Sequence, residues 1–159
     1  MKKNNEKTNV MRILEQNKVQ YESHYYTNTN AISGMDVANV LNQDANQVFK
    51  TLVTVGSSKN YYVFLVPVSK ELNLKKAAKA VNEKHIEMIK SKDLLNLTGY
   101  IHGGCSPIGM KKQFKTTIDI SATKFNTIIF SGGKIGYQVE ISLNELKKII
   151  TFELNDISD

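Results

Sequence analysis

Residues 98–112 read Thr-Gly-Tyr-Ile-His-Gly-Gly-Cys-Ser-Pro-Ile-Gly-Met-Lys-Lys, a stretch rich in residues that interrupt regular structure. It combines one of the two prolines with several glycines, so it can form neither a regular helix nor an uninterrupted central strand. We predict a shaped loop in which Gly103 and Gly104 let another molecule approach the backbone closely. Its amides could donate to a carbonyl or phosphate oxygen, with Lys111 and Lys112 adding positive charge. The alternative is an ordinary tight connection between two strands.

A second glycine-rich turn, Ser131-Gly132-Gly133-Lys134-Ile135-Gly136, follows the strand-like residues 127–130. Two such turns suggest two walls of one site. Neither turn has the spacing of a phosphate-binding P-loop, and neither opens a dinucleotide-binding fingerprint.

Together with Val48-Phe49-Lys50-Thr51-Leu52-Val53 and Leu74-Lys75-Lys76-Ala77-Ala78-Lys79, these turns resemble the YbaK/EbsC family of aminoacyl-tRNA deacylases. That family is related to the editing domain inserted in many bacterial prolyl-tRNA synthetases. The resemblance runs from about Thr8 to Leu146, with the landmarks in family order. The Gly-x-x-x-Pro element of the family falls on Gly103–Pro107, and its strand lysine falls on Lys50.

The resemblance and the strand pattern differ over Lys50. Alternation along the strand places Lys50 on the face opposite Phe49, which by itself favours a solvated lysine. The resemblance implies instead a lysine that points into the pocket for the aminoacyl end of tRNA, where a cation can hold a phosphate or stabilise charge developing on the ester. The resemblance implies catalytic roles for Lys50, Gly103, Gly104, Pro107 and Ser131, and substrate contacts for Tyr26, Phe49, Thr51, Cys105, Ser106, Gly132 and Gly133.

The reaction that the resemblance implies is removal of cysteine mischarged onto tRNA(Pro), with the thiol of the substrate attacking its own ester carbonyl. An aminoacyl ester is already activated, so positioning and oxyanion-stabilising amides suffice. Specificity for one amino acid depends on a few small contacts in the pocket, because a methylene-sized difference between substrates is worth only about 1 to 3 kcal/mol. The alternatives are a deacylase for another small amino acid such as alanine on tRNA(Pro), or a non-catalytic tRNA-binding or regulatory protein of the same fold.

Other catalytic chemistries have weak support in the sequence. Cys105 with nearby His102 is the one arrangement that suggests a nucleophilic pair, but a lone cysteine is more often a small packed side chain. His102 is at most a residue that supports the site from behind. The three histidines and single cysteine lack the clustered spacing of metal ligands, so we expect no metal and no cofactor.

The net charge of +6 and the pI near 9.3 favour a polyanionic partner such as tRNA, although lysine-rich proteins are often basic without one. Arg12 is the only arginine, so we expect phosphate contacts by lysine and little reading of bases. Specificity could then come from a transient complex with prolyl-tRNA synthetase. The predicted tRNA contacts are Lys75, Lys76, Lys79, Lys111 and Lys112; simple solvation of the first three is about equally consistent with the pattern.

The chain of 159 residues suits one domain, with a core at about 8–150 and an acidic tail at 153–159 that we expect to fray. The longest apolar run, 61–68, is too short for a membrane span, and one cysteine cannot form an internal disulfide, so we expect a cytoplasmic protein. Short interspersed elements predict an α+β fold, a mixed and mostly antiparallel sheet curled into a barrel-like core with surrounding helices. The family fold agrees.

Thr8, Ser33, Ser91 and Ser142 are predicted to cap helices, and a further helix is predicted from Leu74. The predicted strands are 21–26, 47–55, 61–66, 113–118, 127–130 and 137–141.

Overall fold

Three helices begin directly after a polar residue that the sequence predicts to be their cap. The structure, a computed structural model, describes residues 6–159; most of the basic start at 1–7 lies outside them. The helices are α1 Asn9–Gln16, α2 Gly34–Val40, α3 Leu74–Ala80, α4 Ser91–Thr98 and α5 Leu143–Leu146, with a 3-10 helix at Ile120–Lys124. The strands are β1 Glu22–Tyr25, β2 Phe49–Gly56, β3 Tyr61–Pro67, β4 Ile86–Met88, β5 Lys115–Asp119, β6 Ile128–Ser131, β7 Tyr137–Ile141 and β8 Glu153–Asn155.

Three predicted caps are confirmed by their hydrogen bonds. The hydroxyls of Thr8, Ser33 and Ser142 each accept from a backbone amide three residues later, at 3.2, 3.1 and 3.1 Å. The predicted cap at Ser91 is wrong: Ser91 is the first helical residue of α4, and Lys90 takes the cap position without a side-chain bond. α4 continues to Thr98 and ends where Gly99 adopts a positive φ of 87°, a conformation that favours glycine.

The strands form two sheets. One has the order β1-β7-β6 and is antiparallel; the other has the order β4-β2-β3-β5-β8, in which β3–β5 and β5–β8 are parallel pairs. The mixed and mostly antiparallel α+β fold is therefore confirmed. Within residues 6–159 the predicted barrel-like closure is not found, because the first sheet meets the second through one isolated bridge, Val48 to Ile129, and each keeps its own edges.

The main core lies between the two sheets and under α1. Val10 and Leu14 of α1, Phe130 of β6 and Ile118 of β5 are all fully buried in one cluster. On the other face of the five-stranded sheet, Ala77 of α3 packs in a second cluster with Phe64 and Val66 of β3. Helix and core therefore cover β3 on both faces, which explains why that strand is almost continuously apolar.

The expectation that the acidic tail frays is wrong. β8 pairs with β5, and Ile157 is fully buried with its amide donating to Asp119 Oδ1 at 3.0 Å. Farther on, Asp159 exchanges two backbone hydrogen bonds with Glu71. The acidic composition hid the apolar side chain of Ile157, whose burial stabilises the segment.

Within residues 6–159, none of the helices combines the length and the apolar character that crossing a bilayer requires.

Candidate active site

A cavity of about 360 Å³ opens where the two sheets part, a volume within the range of small-molecule sites. β2 pairs with β4 only over Thr54–Gly56, and the residue before β2, Val48, bridges to β6. Between these two contacts the first half of β2 borders the cavity. Residues 48–52 form one wall, and Phe130, Ser131 and Gln138 reach it from the other sheet.

Lys50 lies in the cavity wall. Its side chain is 28% exposed, and its Nζ lies 3.4 Å from Oε1 of Glu71. Phe49, on the opposite face of β2, is buried in the core, as strand alternation predicts. The face that carries Lys50 is not open solvent, because α2 lies beside it and lines the same cavity: Gly34 approaches Val68 so closely that a Cβ there would lie 2.2 Å from Val68 Cγ1.

The two glycine turns contact each other through their backbones. A Cβ on Gly104 would lie 3.2 Å from the amide nitrogen of Ile135 and 3.3 Å from Cα of Lys134. Gly103, with a positive φ of 90°, lines the cavity. The Gly104 amide already donates to the carbonyl of Ile101 at 3.0 Å, so Gly103 is the better candidate to offer an amide to a substrate.

The second turn stabilises itself and presents one hydroxyl. Ser131 Oγ accepts from the amide of Gly133 at 3.0 Å, and the amide of Gly132 donates to the carbonyl of Tyr137 at 2.8 Å. Ser131 lines the cavity, so its hydroxyl proton can be donated to a bound group.

Two further predicted residues, Tyr26 and Thr51, also line the cavity. Tyr26 is buried and packs with Ala31 and Val37, so its ring is fixed. Thr51 Oγ1 is buried and has no hydrogen-bond partner among residues 6–159. A buried hydroxyl without a partner is uncommon and fits a wall that receives a polar ligand.

Cys105 lies in the wall but belongs to the core. Its side chain is 9% exposed, and burial raises the pKa of the thiol to about 12, against a small opposing effect of the Thr98 hydroxyl. The thiolate is the nucleophilic form, so Cys105 is unsuited to nucleophilic attack at neutral pH. His102 also lines the cavity and is exposed, whereas the sequence pattern predicted at most a residue behind the site.

The remaining predicted residues lie behind the wall. Ser106 is fully buried and its Oγ accepts from the amide of Ile108, whose carbonyl accepts from the Tyr100 hydroxyl. These contacts shape the first turn. The residues that the structure brings to the cavity are Tyr26, Phe49, Lys50, Thr51, Gly103, Cys105 and Ser131; those that it places outside the lining are Gly104, Ser106, Pro107, Gly132 and Gly133.

Sequence reasoning missed several lining residues. Glu71 follows β3, and nothing in the local pattern brings it to Lys50. Gln138 is buried and accepts from Gln43 Nε2 at 2.8 Å, yet its pattern is that of an ordinary member of an alternating strand. Ile32 and Met35 are 53% and 42% exposed and line the cavity; apolar residues just before and inside the start of α2 were the available signal.

The predicted tRNA-binding lysines differ in availability. Lys75 and Lys79 are exposed on α3. Lys76 is half-buried, with its Nζ 3.1 Å from Asp156 and 3.5 Å from Asp159, so its charge is partly neutralised within the protein. Lys111 and Lys112 are exposed beyond the first turn.

No three histidine, cysteine, aspartate or glutamate side chains come together as metal ligands in the part of the chain from 6 to 159.

Comparisons with known proteins match most of the chain to one family. A family model described as an aminoacyl-tRNA editing domain matches residues 30–149. EbsC of Enterococcus faecalis (strain ATCC 700802 / V583), a proposed Cys-tRNA(Pro)/Cys-tRNA(Cys) deacylase, is 42% identical over 158 residues, 99% of this chain and 96% of EbsC.

Two solved structures share the fold. The hypothetical protein APE2540 has a TM-score of 0.85 at 18% identity, with 94% of this chain and 99% of that chain covered. A proposed trans-editing enzyme for prolyl-tRNA synthetase has a TM-score of 0.80 at 22% identity, with 94% of both chains covered. The predicted editing-domain fold is therefore confirmed.

Proposed function

The chain belongs to the aminoacyl-tRNA editing domain family, and from this premise we propose that it removes cysteine mischarged onto tRNA(Pro). It is an aminoacyl-tRNA deacylase by family and by its 42% identity to EbsC. The composition of the cavity wall supports cysteine as the substrate amino acid. The wall contains the cation of Lys50, whereas Cys105 in the same wall is too buried to act as a nucleophile. A substrate that brings its own thiol fits such a wall.

The proposed reaction is intramolecular. The thiol sulfur of the cysteinyl group attacks its own carbonyl carbon and a C–S bond forms. The C–O bond to the terminal ribose then breaks, and the thiol proton passes to the departing ribose oxygen. The released cyclic thioester takes up water to give cysteine. The protein has to orient the thiol and stabilise the negative charge on the carbonyl oxygen, which positioned donors do best where water is excluded.

Lys50 and Gly103 are the candidates for that stabilisation. The Nζ of Lys50 would face the oxyanion or the phosphate next to the terminal ribose, and the Gly103 amide would donate to the same carbonyl oxygen. The exposed side chains of Ile32 and Met35 would pack against the terminal nucleoside at the mouth of the cavity.

The test is hydrolysis of separately charged tRNAs by the purified protein. We expect rapid loss of cysteine from tRNA(Pro) and none of proline from it; tRNA(Cys) charged with cysteine measures how strongly the tRNA is selected. Equal loss of alanine from tRNA(Pro) would contradict the assignment to cysteine. Binding without turnover of any ester would instead favour a non-catalytic module.

A second substrate tests the mechanism. 2-Aminobutyrate attached to tRNA(Pro) replaces the thiol by a methyl group of similar size, so it nearly keeps the shape of the side chain but has no thiol to attack the ester. We expect its ester to survive at the uncatalysed rate. Turnover of this ester would require a nucleophile from the protein or from water.

We also propose that a prolyl-tRNA synthetase supplies tRNA selection. The support is the lysine-based surface, since lysines contact phosphates without reading bases. Adding the synthetase should increase the preference for tRNA(Pro) over tRNA(Cys), and an unchanged preference would contradict this partner.

A further inference from the structure

Glu71 is the carboxylate that faces the cavity. Among the described residues that line the cavity it is the single acidic side chain, and its Oε1 lies 3.4 Å from Nζ of Lys50. Its side chain is 86% exposed, so the ion pair is screened by water and contributes little to stability. A pair of this kind can be opened by a ligand at low cost.

The backbone under this carboxylate is held firmly. Glu71 and Asp159 exchange two hydrogen bonds, at 3.3 and 3.0 Å, and Leu72 pairs with Ser158 in an antiparallel bridge. Just beyond, Asn73 caps α3 through a bond to the amide of Lys76. Glu71 therefore combines a fixed main chain with an accessible carboxylate at the cavity, a pre-organised arrangement for binding a cation.

The aminoacyl end of a tRNA carries complementary charges. It has one primary ammonium, on the carbon next to the ester carbonyl, and a phosphodiester beside the terminal ribose. We propose that Glu71 forms a subsite for this ammonium, while Lys50 is released to the anionic oxygens of the substrate. The inference rests on the proposed function, because it specifies how the same cavity holds an aminoacyl ester.

The exchange leaves each charge with a partner. In the free protein Lys50 and Glu71 neutralise each other. When substrate binds, each takes a new opposite charge, so neither is left unpaired as water leaves the cavity. The consequence is a selection rule: the site accepts esters with a free amine and rejects esters whose amine is acylated, as in peptidyl-tRNA.

The experiment compares two ligands with two proteins. Cysteinyl-tRNA(Pro) and its N-acetyl form are tested with the parent and with Glu71→Gln, both for turnover and for binding of the corresponding non-hydrolysable 3′-amide analogues. Acetylation should reduce parental kcat/KM and affinity by about tenfold or more, the loss expected for one charge-assisted hydrogen bond. In Glu71→Gln, kcat/KM and affinity should be the same for the free-amine ligand and its N-acetyl form. Glu87→Gln, an exposed glutamate of β4, is the matched control.

The outcomes separate this inference from the proposed function. If the parent hydrolyses neither ester but binds the free amine better, and Glu71→Gln abolishes that preference, the subsite stands and the proposed reaction fails. If Glu71→Gln slows both esters equally, Glu71 only orients Lys50 and the ammonium subsite is wrong. It is also wrong if the parent treats the two ligands alike.

Discussion

Gly104 and Ile135 are in backbone contact across the two glycine turns, with the position of a Cβ on Gly104 only 3.2 Å from the Ile135 amide nitrogen. Neighbouring side chains can rotate away from an added methyl group, but backbone cannot. The two turns therefore form one packed unit behind the cavity wall at Gly103 and Ser131.

Gly104→Ala should separate the turns. We expect overpacking to destabilise the protein by about 1 to 3 kcal/mol. Deacylation should fall by roughly tenfold to a hundredfold, since small displacements of positioned groups are costly. Gly99→Ala is the control, because its positive φ of 87° strains the backbone while the new Cβ meets only the Lys111 side chain. Comparable losses of activity in both variants would show that stability alone is responsible.

Lys50→Ala should remove most turnover and keep the fold. The side chain is outside the core, so the melting temperature should change little, whereas loss of a charge-stabilising group costs roughly a hundredfold or more in kcat. Lys147→Ala, an exposed lysine next to α5, controls for the change in net charge. Parental rates for Lys50→Ala under single-turnover conditions would refute the assigned role.

Cys105→Ala should deacylate at nearly the parental rate. The thiol that reacts belongs to the substrate, and the buried thiol of Cys105 has a pKa raised to about 12. Stability should fall by about 1 kcal/mol, similar to removing one buried methylene. In native protein at a pH of about 8, iodoacetamide should label Cys105 slowly, because little thiolate is present. A folded but inactive variant would point to an enzymic nucleophile.

Stability at low pH should depend on Glu83. Its carboxylate accepts hydrogen bonds from Ser57, Ser58 and Tyr62, chiefly the Ser58 hydroxyl, which lower its pKa from 4.5 to about 2 despite opposing burial. Because the pKa of Glu83 is lower in the folded than in the unfolded protein, its ionised carboxylate stabilises the folded state. This contribution is present above pH 4.5 and is lost as the pH falls towards 2. The melting temperatures of the parent and Glu83→Gln should therefore converge across that interval. Glu153→Gln, exposed on β8, should show no such convergence.

Affinity for tRNA should fall steeply with salt and differ little between tRNA species. Replacing Lys75 and Lys79 by glutamine should flatten the salt dependence by roughly one unit for each phosphate that is no longer neutralised. Adding Lys76→Gln should also lower thermal stability, because Lys76 bridges to Asp156 and Asp159. Fluorescence anisotropy over a salt series measures the slope, and an unchanged slope would mean that this face of α3 is only solvated.

The sequence predicts features that depend on near neighbours. Thr8, Ser33 and Ser142 cap helices through bonds to residues three positions away, so local pattern is sufficient. Alternation also predicts correctly that Lys50 and Phe49 lie on opposite faces of β2. It does not reveal that α2 lines the same cavity as Lys50, since that depends on the close approach of Gly34 to Val68.

Features that depend on distant pairings were missed. The main chain of Glu71 is held by its pairing with Asp159, and the fraying prediction failed because Ile157 is buried under a helix far away in sequence. Composition described the last residues as acidic, but one well-placed isoleucine determines where they lie. The missing barrel closure is similar, because strand propensities do not say how far two sheets stay paired.

The two backbone hydrogen bonds between Glu71 and Asp159 also predict the order in which parts of the chain fold. Contacts between residues this far apart in sequence form late in folding, because closing a long loop costs conformational entropy before the contact stabilises it. The hairpin of β2 and β3 can place Lys50 early, whereas the carboxylate opposite it is fixed only when residues 157–159 dock. Hydrogen exchange should therefore find the amides of Glu71 and Asp159 opening together, before the hairpin does.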